Sequence, residues 1–139
     1  MKNFKNPTDA EVRRNFPGGW AGDAANKFTA AGRSKSENEA FEFVKKLANY
    51  RKNTPALYAG KLTQFVPRND IYVYFRHNAS KTVMVVINSS KTETNLETGR
   101  FAERMKGFTS AKDVLSDEKI NNLSTLKIPA MSALVLELQ

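Results

Sequence analysis

Cysteine is absent from the 139 residues of this chain, which excludes disulfide bonds, a thiolate nucleophile and thiolate metal ligands. Histidine is nearly absent, since His77 is the only one. No grouping of histidine and carboxylates has the spacing of a metal site. A lone histidine at the end of a predicted strand is usually incidental, and no two of the 14 acidic residues are marked as an acid–base pair. The sequence therefore predicts no cofactor and no metal site, and it names no catalytic residue.

Long apolar runs are also missing. No segment approaches the ~20 apolar residues that span a bilayer. The first residues, MKNFKNPTDAEVRRNF, lack the apolar segment of a signal peptide. We therefore predict no membrane partner, and we expect any secretion signal of the whole protein to lie outside this chain.

Acidic residues are fewer than basic ones. The chain has 14 Asp and Glu but 22 Lys and Arg, which gives a net charge of +8. Such an excess can indicate nucleic-acid binding. Here it is spread along the chain, since residues 1–35 carry 7 basic and 3 acidic side chains and residues 54–139 carry 11 and 8. No basic run with interleaved aromatics occurs. We therefore predict no nucleic-acid partner and interpret the charge as a solvated surface.

Residues 1–35 have no sustained periodicity and form an arm rich in Asn, Gly, Ala and Thr. The arm nevertheless contains four large aromatics, Phe4, Phe16, Trp20 and Phe28, whereas disordered segments are poor in aromatics. The segment around Trp20, PGGWAG, lacks the Lys-Ser/Thr of a phosphate-binding loop. An exposed tryptophan here could stack on a sugar or fill a hole in a neighbouring domain, and the residues leave both interpretations open.

Residues 36–52, SENEAFEFVKKLANYRK, predict a helix. Ser36 and Glu39 fit a capping box, and Pro55 prevents the helix from continuing. Acidic residues come first and basic residues last, which suits the helix dipole. An apolar stripe at helical spacing, with two aromatics beside it, comprises Ala40, Val44, Leu47, Ala48, Phe41 and Phe43.

From Gly60 onward the apolar spacing changes toward the period of a β-strand. In the segment 71–77, Tyr72, Tyr74 and Arg76 are expected on one face, opposite three apolar residues, and the leucines of the last strand should also share a face. We predict a mainly β fold, an antiparallel sandwich or barrel preceded by one helix and an irregular arm. The predicted strands are 61–66, 71–77, 82–89, 93–97, 112–116, 123–128 and 132–138.

The segment RRNFPGGWAGDAANKFT resembles the C-terminal region of α-amylase-family glycoside hydrolases, glycoside hydrolase family thirteen. It is most similar to the cyclomaltodextrinase and neopullulanase branch of bacteria such as the Bacteroides group. That family has Asp-Phe-Pro-Gly-Gly-Trp, a small residue and Gly-Asp, followed by Asn and Phe-Thr. Asn15 stands where the pattern has the first Asp. The similarity continues through GKLTQFVPRNDIYVYFR to the last strand and covers about residues 11–138.

The resemblance implies a domain organisation. Residues 1–35 would be a remnant of the loop after the last strand of a (β/α)8 barrel, residues 36–53 the last barrel helix, and residues 57–139 a C-terminal Greek-key β-sandwich. The family's catalytic carboxylates lie in upstream barrel segments that have no counterpart here, and such barrels assemble their active sites from several loops. We therefore expect a truncated, non-catalytic chain with a structural, domain-packing role in an α-glucan hydrolase.

The implied partner is the catalytic barrel of the parent enzyme, a bacterial protein of the periplasm or exterior, with a cytoplasmic location also open. The alternative is a stand-alone module that binds α-glucan. The predicted carbohydrate or partner contacts are Trp20, Asp23, Tyr72 and Tyr74. Without the barrel, the arm aromatics and the apolar helix face should support self-association.

Overall fold

A computed structural model describes Thr8, Asp9, Arg13 and residues 15–139. The chain forms two compact units, Met1–Glu42 and Phe43–Gln139. Within the described part, the helices are too short or too polar to cross a bilayer. Phe4, one of the arm aromatics expected to support self-association, lies outside the described residues.

The first unit contains a loop, a 3-10 turn and the start of a helix. Gly18 and Asn26 form an antiparallel bridge that closes the loop, and the 3-10 turn is Ala30–Gly32. The following helix, α1, runs over Lys35–Lys52 and crosses into the second unit. The sequence predicted this helix with a difference of one residue at its start.

The predicted capping box of α1 is wrong, because Ser34 and Glu37 form it in place of Ser36 and Glu39. The Glu37 N–H donates to Ser34 Oγ at 3.3 Å, and the Ser34 N–H donates to Glu37 Oε2 at 2.6 Å. The segment SKSENE offers two Ser-x-x-Glu pairs. The earlier pair is favoured because Lys27 Nζ also binds Glu37 Oε2, at 2.7 Å.

The Glu37 carboxyl should titrate far below its ordinary range. Its hydrogen bonds from Lys27 and from the Ser34 amide lower its pKa from 4.5 to about 2. Because the folded-state pKa is depressed, the associated stability is present above pH 4.5 and is lost as the pH falls toward 2. Carbon NMR of the side-chain carboxyl checks the value, and Lys27→Gln should raise it. A wild-type Glu37 that titrates in the ordinary range would contradict this prediction.

The second half of α1 is held to the rest of the second unit by side-chain hydrogen bonds. Lys46 Nζ donates to the Leu115 carbonyl at 2.8 Å, and the Tyr50 hydroxyl donates to Glu137 Oε2 at 2.8 Å. The helix ends at Lys52, as the position of Pro55 predicted, and a one-turn helix, α2, follows over Pro55–Tyr58.

Within the described residues, eight antiparallel strands form two sheets, which confirms the predicted mainly β, sandwich-type fold. The large sheet has the order β1-β2-β3-β8-β5-β6, and β4 pairs with β7 in the small one. A 3-10 turn at Thr98–Phe101 and a short helix, α3, at Ala102–Met105 join β4 to β5. The strands are β1 Lys61–Arg68, β2 Ile71–His77, β3 Thr82–Asn88, β4 Thr94–Glu97, β5 Ala111–Asp113, β6 Lys119–Ile120, β7 Thr125–Ile128 and β8 Ser132–Leu138.

The predicted strand 112–116 is wrong in its second half, since β5 ends at Asp113. The Asp113 carboxylate accepts hydrogen bonds from the Leu115 N–H at 3.1 Å and from the Ser116 hydroxyl at 2.9 Å. These bonds fold the chain into an Asx-type turn. After this turn the chain pairs with β5 as the short antiparallel strand β6, which the sequence did not indicate.

The core lies on the inner face of the large sheet. Residues of β2 alternate between buried and half-buried positions, as the period-2 pattern predicted. The leucines of β8 also share the core face, with Leu136 and Leu138 buried and Leu134 packed against them. The buried cluster is Ile71, Val73, Phe75, Met84, Val86, Phe101, Met105, Ala111, Leu123, Leu126, Ile128, Leu136 and Leu138.

Candidate functional site

Trp20 and Asp23 lie together in the loop of the first unit. One carboxylate oxygen of Asp23, Oδ2, accepts hydrogen bonds from the Gly19 and Trp20 N–H groups, both at 3.0 Å. The Asp23 N–H donates to the Trp20 carbonyl at 3.0 Å. Asp23 thus holds the turn that presents the tryptophan, and Trp20 is 77% exposed.

Two glycines make this turn possible. Gly19 has a φ of +85°, which favours glycine. A Cβ on Gly18 would lie 2.9 Å from Trp20 Nε1 and 3.1 Å from Phe28 Cε2, so the absence of a side chain lets the indole edge approach the backbone. Phe16 and Phe28 contact each other, with ring centroids 4.8 Å apart, yet both remain exposed. The loop therefore presents three exposed aromatic rings.

Arg33 attaches the loop to the first turns of α1. Its Nη1 donates to the Lys27 carbonyl at 3.0 Å, its Nε donates to Asn38 Oδ1 at 2.8 Å, and its guanidinium lies 3.9 Å from the centre of the Phe41 ring. The Asn38 amide in turn donates to the Ala30 carbonyl at 3.0 Å. These bonds order a loop that has little apolar burial of its own.

Tyr72 and Tyr74 lie together in the second unit, on the outer face of β2. Their ring centroids are 5.6 Å apart with an interplanar angle of 36°. The Tyr72 hydroxyl donates to Gln64 Oε1 at 2.8 Å. Both rings line a cavity of about 500 Å³ beneath the second half of α1 and α2. The sequence placed both tyrosines on one face of the strand, and the structure confirms that placement.

A hydrogen-bonded chain of Tyr50, Glu137 and Lys81 lies beside this cavity. Glu137 Oε2 accepts from the Tyr50 hydroxyl and Oε1 pairs with Lys81 Nζ, each at 2.8 Å. Burial and the Glu137 hydrogen bond raise the pKa of Tyr50. Burial opposes ionisation of Glu137, but the bonds from Lys81 and Tyr50 outweigh it and lower the pKa of that carboxyl. Burial and the neighbouring Tyr72 also raise the pKa of Tyr74. The hydroxyl groups of Tyr50 and Tyr74 are therefore neutral near neutral pH.

His77 has a structural environment. Its Nε2 lies 3.2 Å from Thr63 Oγ1 and 3.1 Å from Arg104 Nη1. Burial and the positive charge of Arg104 lower its pKa, so the ring is neutral and accepts a hydrogen bond from the guanidinium. Among the residues with described positions, no group of three His, Asp or Glu side chains could hold a metal ion.

The sequence did not identify Tyr50 or Glu137 as neighbours of the tyrosine pair. Tyr50 is 22 residues before Tyr72 in the sequence, and Glu137 lies in the last strand. The only available signal was the alternation that placed Arg76 on the face of Tyr72 and Tyr74. The second half of α1 packs over this face and brings Tyr50 to it, and Tyr50 in turn binds Glu137 of β8.

Comparison with known proteins identifies relatives of this chain. The family described as the cyclo-malto-dextrinase C-terminal domain matches residues 62–137, from the second residue of β1 to the next-to-last residue of β8. A cyclomaltodextrin glucanotransferase of Niallia circulans is 30% identical over 112 residues, which cover 74% of this chain and 16% of that protein. One from Paenibacillus macerans is 37% identical over 71 residues, covering 51% of this chain and 10% of that protein. The chain thus spans a small part of the length of these relatives.

Solved structures show the same fold. An α-amylase from Geobacillus thermoleovorans complexed with acarbose matches with a TM-score of 0.64 and 18% identity, over 77% of this chain and 24% of that one. AmyP in complex with maltose matches with a TM-score of 0.64 and 17% identity, over 75% of this chain and 21% of that one. These findings confirm the resemblance seen in the sequence, and the match over residues 62–137 shows that the chain belongs to the family of cyclo-malto-dextrinase C-terminal domains.

Proposed function

We propose that this chain is the non-catalytic C-terminal part of an α-glucan-acting enzyme and that it packs against the (β/α)8 catalytic barrel of that enzyme. In this proposal α1 is the last barrel helix and the loop of the first unit follows the last barrel strand. Two features support the assignment: the family match of the strands, and an alignment that extends beyond them. Residues 62–137 number 76 of 139, so an alignment covering 74% of the chain includes residues before β1.

The main support for the packing role is that α1 has exposed apolar side chains. Within the second unit, Phe43 is 52% exposed and Val44 is 63% exposed, although both belong to an amphipathic helix. Leu47 and Tyr50, by contrast, face the sheet. The apolar surface of α1 thus extends beyond the part that the sheet covers, which is typical of an element that a second layer also covers. The barrel would supply the second layer.

The proposal predicts that the purified chain does not hydrolyse α-glucans. Retaining glycoside hydrolysis needs two carboxylates about 5 Å apart, and the family's pair lies in the barrel. Reducing-sugar release from β-cyclodextrin, pullulan and starch should equal that of a mock preparation from cells lacking the gene. Turnover that co-purifies with the chain and exceeds this control would refute the non-catalytic assignment. The proposal also predicts a reading frame upstream that encodes the barrel and its three carboxylates.

Without its barrel the chain should self-associate through α1. Analytical ultracentrifugation should show concentration-dependent dimers or larger species, and the double substitution Phe43→Ser/Val44→Ser should shift the population to monomer. Val66→Ser is a matched control, since Val66 is 75% exposed on β1 and lies away from the helix in the chain. A wild-type chain that stays monomeric at millimolar concentration would argue against an uncovered packing face.

The second candidate function is α-glucan binding, which the exposed Trp20 and the paired rings of Tyr72 and Tyr74 favour. Aromatic rings stack on the apolar faces of sugars. Affinity electrophoresis in amylose gels should then retard the wild type, and Trp20→Ala or Tyr72→Ala should remove the retardation. Unretarded migration together with unchanged tryptophan fluorescence in maltotriose would eliminate this candidate and leave the packing role.

A further inference from the structure

The cavity beneath α1 in the second unit has apolar and aromatic walls. Its volume is about 500 Å³, which is within the range of small-molecule sites. Tyr72 and Tyr74 form one wall, and Arg51 and Arg76 supply its cationic groups. No carboxylate is among the described residues that line it. The apolar part of the lining consists of Leu47, Leu57, Leu62, Val85 and Val135.

Arg76 lacks a partner within the described part of the chain. No ion pair or hydrogen bond among the described residues reaches its guanidinium, and its Nε is buried without a hydrogen bond. Arg51 differs, because its Nη1 donates to the Leu57 carbonyl at 3.0 Å. Buried donors are nearly always satisfied in proteins, and a desolvated charge is costly unless it is paired. Arg76 lines the cavity, and its positive charge therefore has no counter-charge among the described residues.

Glu137 does not supply this acceptor. Both of its carboxylate oxygens are engaged, by the Tyr50 hydroxyl and by Lys81 Nζ. In the sheet, Val83 pairs with Arg76 on one side and with Glu137 on the other, so two strand spacings of about 4.8 Å separate the two backbones. The acidic group nearest in the sheet is thus already neutralised by other residues.

We propose that this cavity binds a carboxylate attached to an apolar or aromatic group, with the carboxylate on Arg76 and the apolar body against Tyr72 and Tyr74. A carboxylate matches the planar donor geometry of a guanidinium and forms stronger hydrogen bonds to it than a neutral acceptor. A neutral glucan would use the aromatic walls but would leave the charge of Arg76 unpaired. The carboxylate belongs either to a free small molecule or to an Asp or Glu side chain of a protein segment. The proposal depends on the cavity alone and stands or falls independently of the domain-packing role.

NMR of the arginine Nε–H groups tests the proposal on the wild-type chain. Phenylacetate and its neutral isostere phenylacetamide are titrated into the protein separately, and their affinities are compared. N-acetyl-Phe-Glu-amide and N-acetyl-Phe-Gln-amide are compared in the same way. We expect the Arg76 Nε–H resonance to shift with a carboxylate and the acid to bind at least about tenfold tighter than its amide. Tighter binding of phenylacetate identifies a small-molecule source, and tighter binding of the acidic dipeptide identifies a protein side chain. Equal binding of acid and amide, or no shift with either acid, overturns the proposal.

Two variants make the test specific. Arg76→Gln should weaken carboxylate binding at least about tenfold and make acid and amide equivalent. Arg68→Gln removes the same charge from an exposed residue outside this cavity and should leave the affinity unchanged. If Arg76→Gln does not fold, the comparison of acid with amide on the wild type decides by itself. The proposal would also be overturned if maltotriose shifted the Arg76 resonance and the carboxylates did not.

Discussion

Phe75→Ala should lower the free energy of unfolding by about 3–5 kcal/mol, the range for truncating a buried aromatic. Phe75 is fully buried at the centre of β2. Its ring centroid lies 5.8 Å from that of Phe65 and 6.3 Å from that of Phe101. Truncation therefore leaves a cavity where the large sheet meets the 3-10 turn that follows β4. Folded domains are stable by only about 5–15 kcal/mol, so this one substitution removes a large part of the stability.

Urea unfolding followed by far-ultraviolet circular dichroism measures the loss. This signal reports the strands and helices together, whereas Trp20 fluorescence would report only the loop of the first unit. Val66→Ala is the matched control, because Val66 is on the neighbouring strand and is 75% exposed. It should change the free energy of unfolding by less than about 0.5 kcal/mol. Equal losses for the two variants would contradict the assignment of Phe75 to the core.

The sequence predicted the elements whose signal is local. The alternation around Val73 and Phe75 is a property of one strand, and it placed the core face of β2 correctly. The apolar stripe of α1 and the stop at Pro55 are equally local, and the helix bounds agree with the prediction within one residue. Local periodicity suffices here because helix and strand differ in the spacing of residues that share a face.

The sequence failed where two local solutions compete or where a distant contact decides. Ser34 and Ser36 both begin a Ser-x-x-Glu pair, and the choice between them depends on Lys27, ten residues before Glu37. The premature end of β5 depends on the side-chain hydrogen bonds of Asp113. These are energetic differences between similar local structures, which the pattern of residue types does not distinguish.

The candidate sites divide in the same way. The glycines and Asp23 of the Trp20 loop are within a few residues of each other, so their relation is visible in the sequence. The surroundings of Tyr72 and Tyr74 come from α1 and from β8, at the end of the chain. The unpaired Arg76 becomes evident only once the possible partners around it are known. A contact that joins distant segments is thus the kind of feature that only the structure supplies.

Asn88 is such a contact, and it joins the two sheets. It is 1% exposed at the end of β3. Its Nδ2 donates to the carbonyls of Thr92 at 2.9 Å, Pro129 at 2.9 Å and Ile128 at 3.3 Å. Its Oδ1 accepts from the Ser90 N–H at 2.9 Å and from the Ser90 hydroxyl at 2.7 Å. One side chain therefore satisfies backbone groups beside both β3 and β7.

Asn88→Asp should lower the free energy of unfolding by about 2–4 kcal/mol near neutral pH. The introduced carboxylate cannot donate a hydrogen bond, and it would face three carbonyl oxygens. Burial and these oxygens should raise its folded-state pKa above the unfolded value of about 3.9. The loss should therefore grow as the pH rises above about 4 and shrink in more acidic solution, where the protonated carboxyl can donate one hydrogen bond.

Urea unfolding at about pH 4 and about pH 7, followed by circular dichroism, checks both the size and the direction of this effect. Asn95→Asp is the matched control, since Asn95 is exposed on β4 and the same change there adds a solvated charge. Because the other titrating groups are common to both variants, the difference between them isolates the buried position. A loss that is equal at the two pH values would show that the Asn88 amide is not needed as a donor to these carbonyls. The connection between the sheets would then rest on their apolar contacts, chiefly those of Ile128 and Leu126.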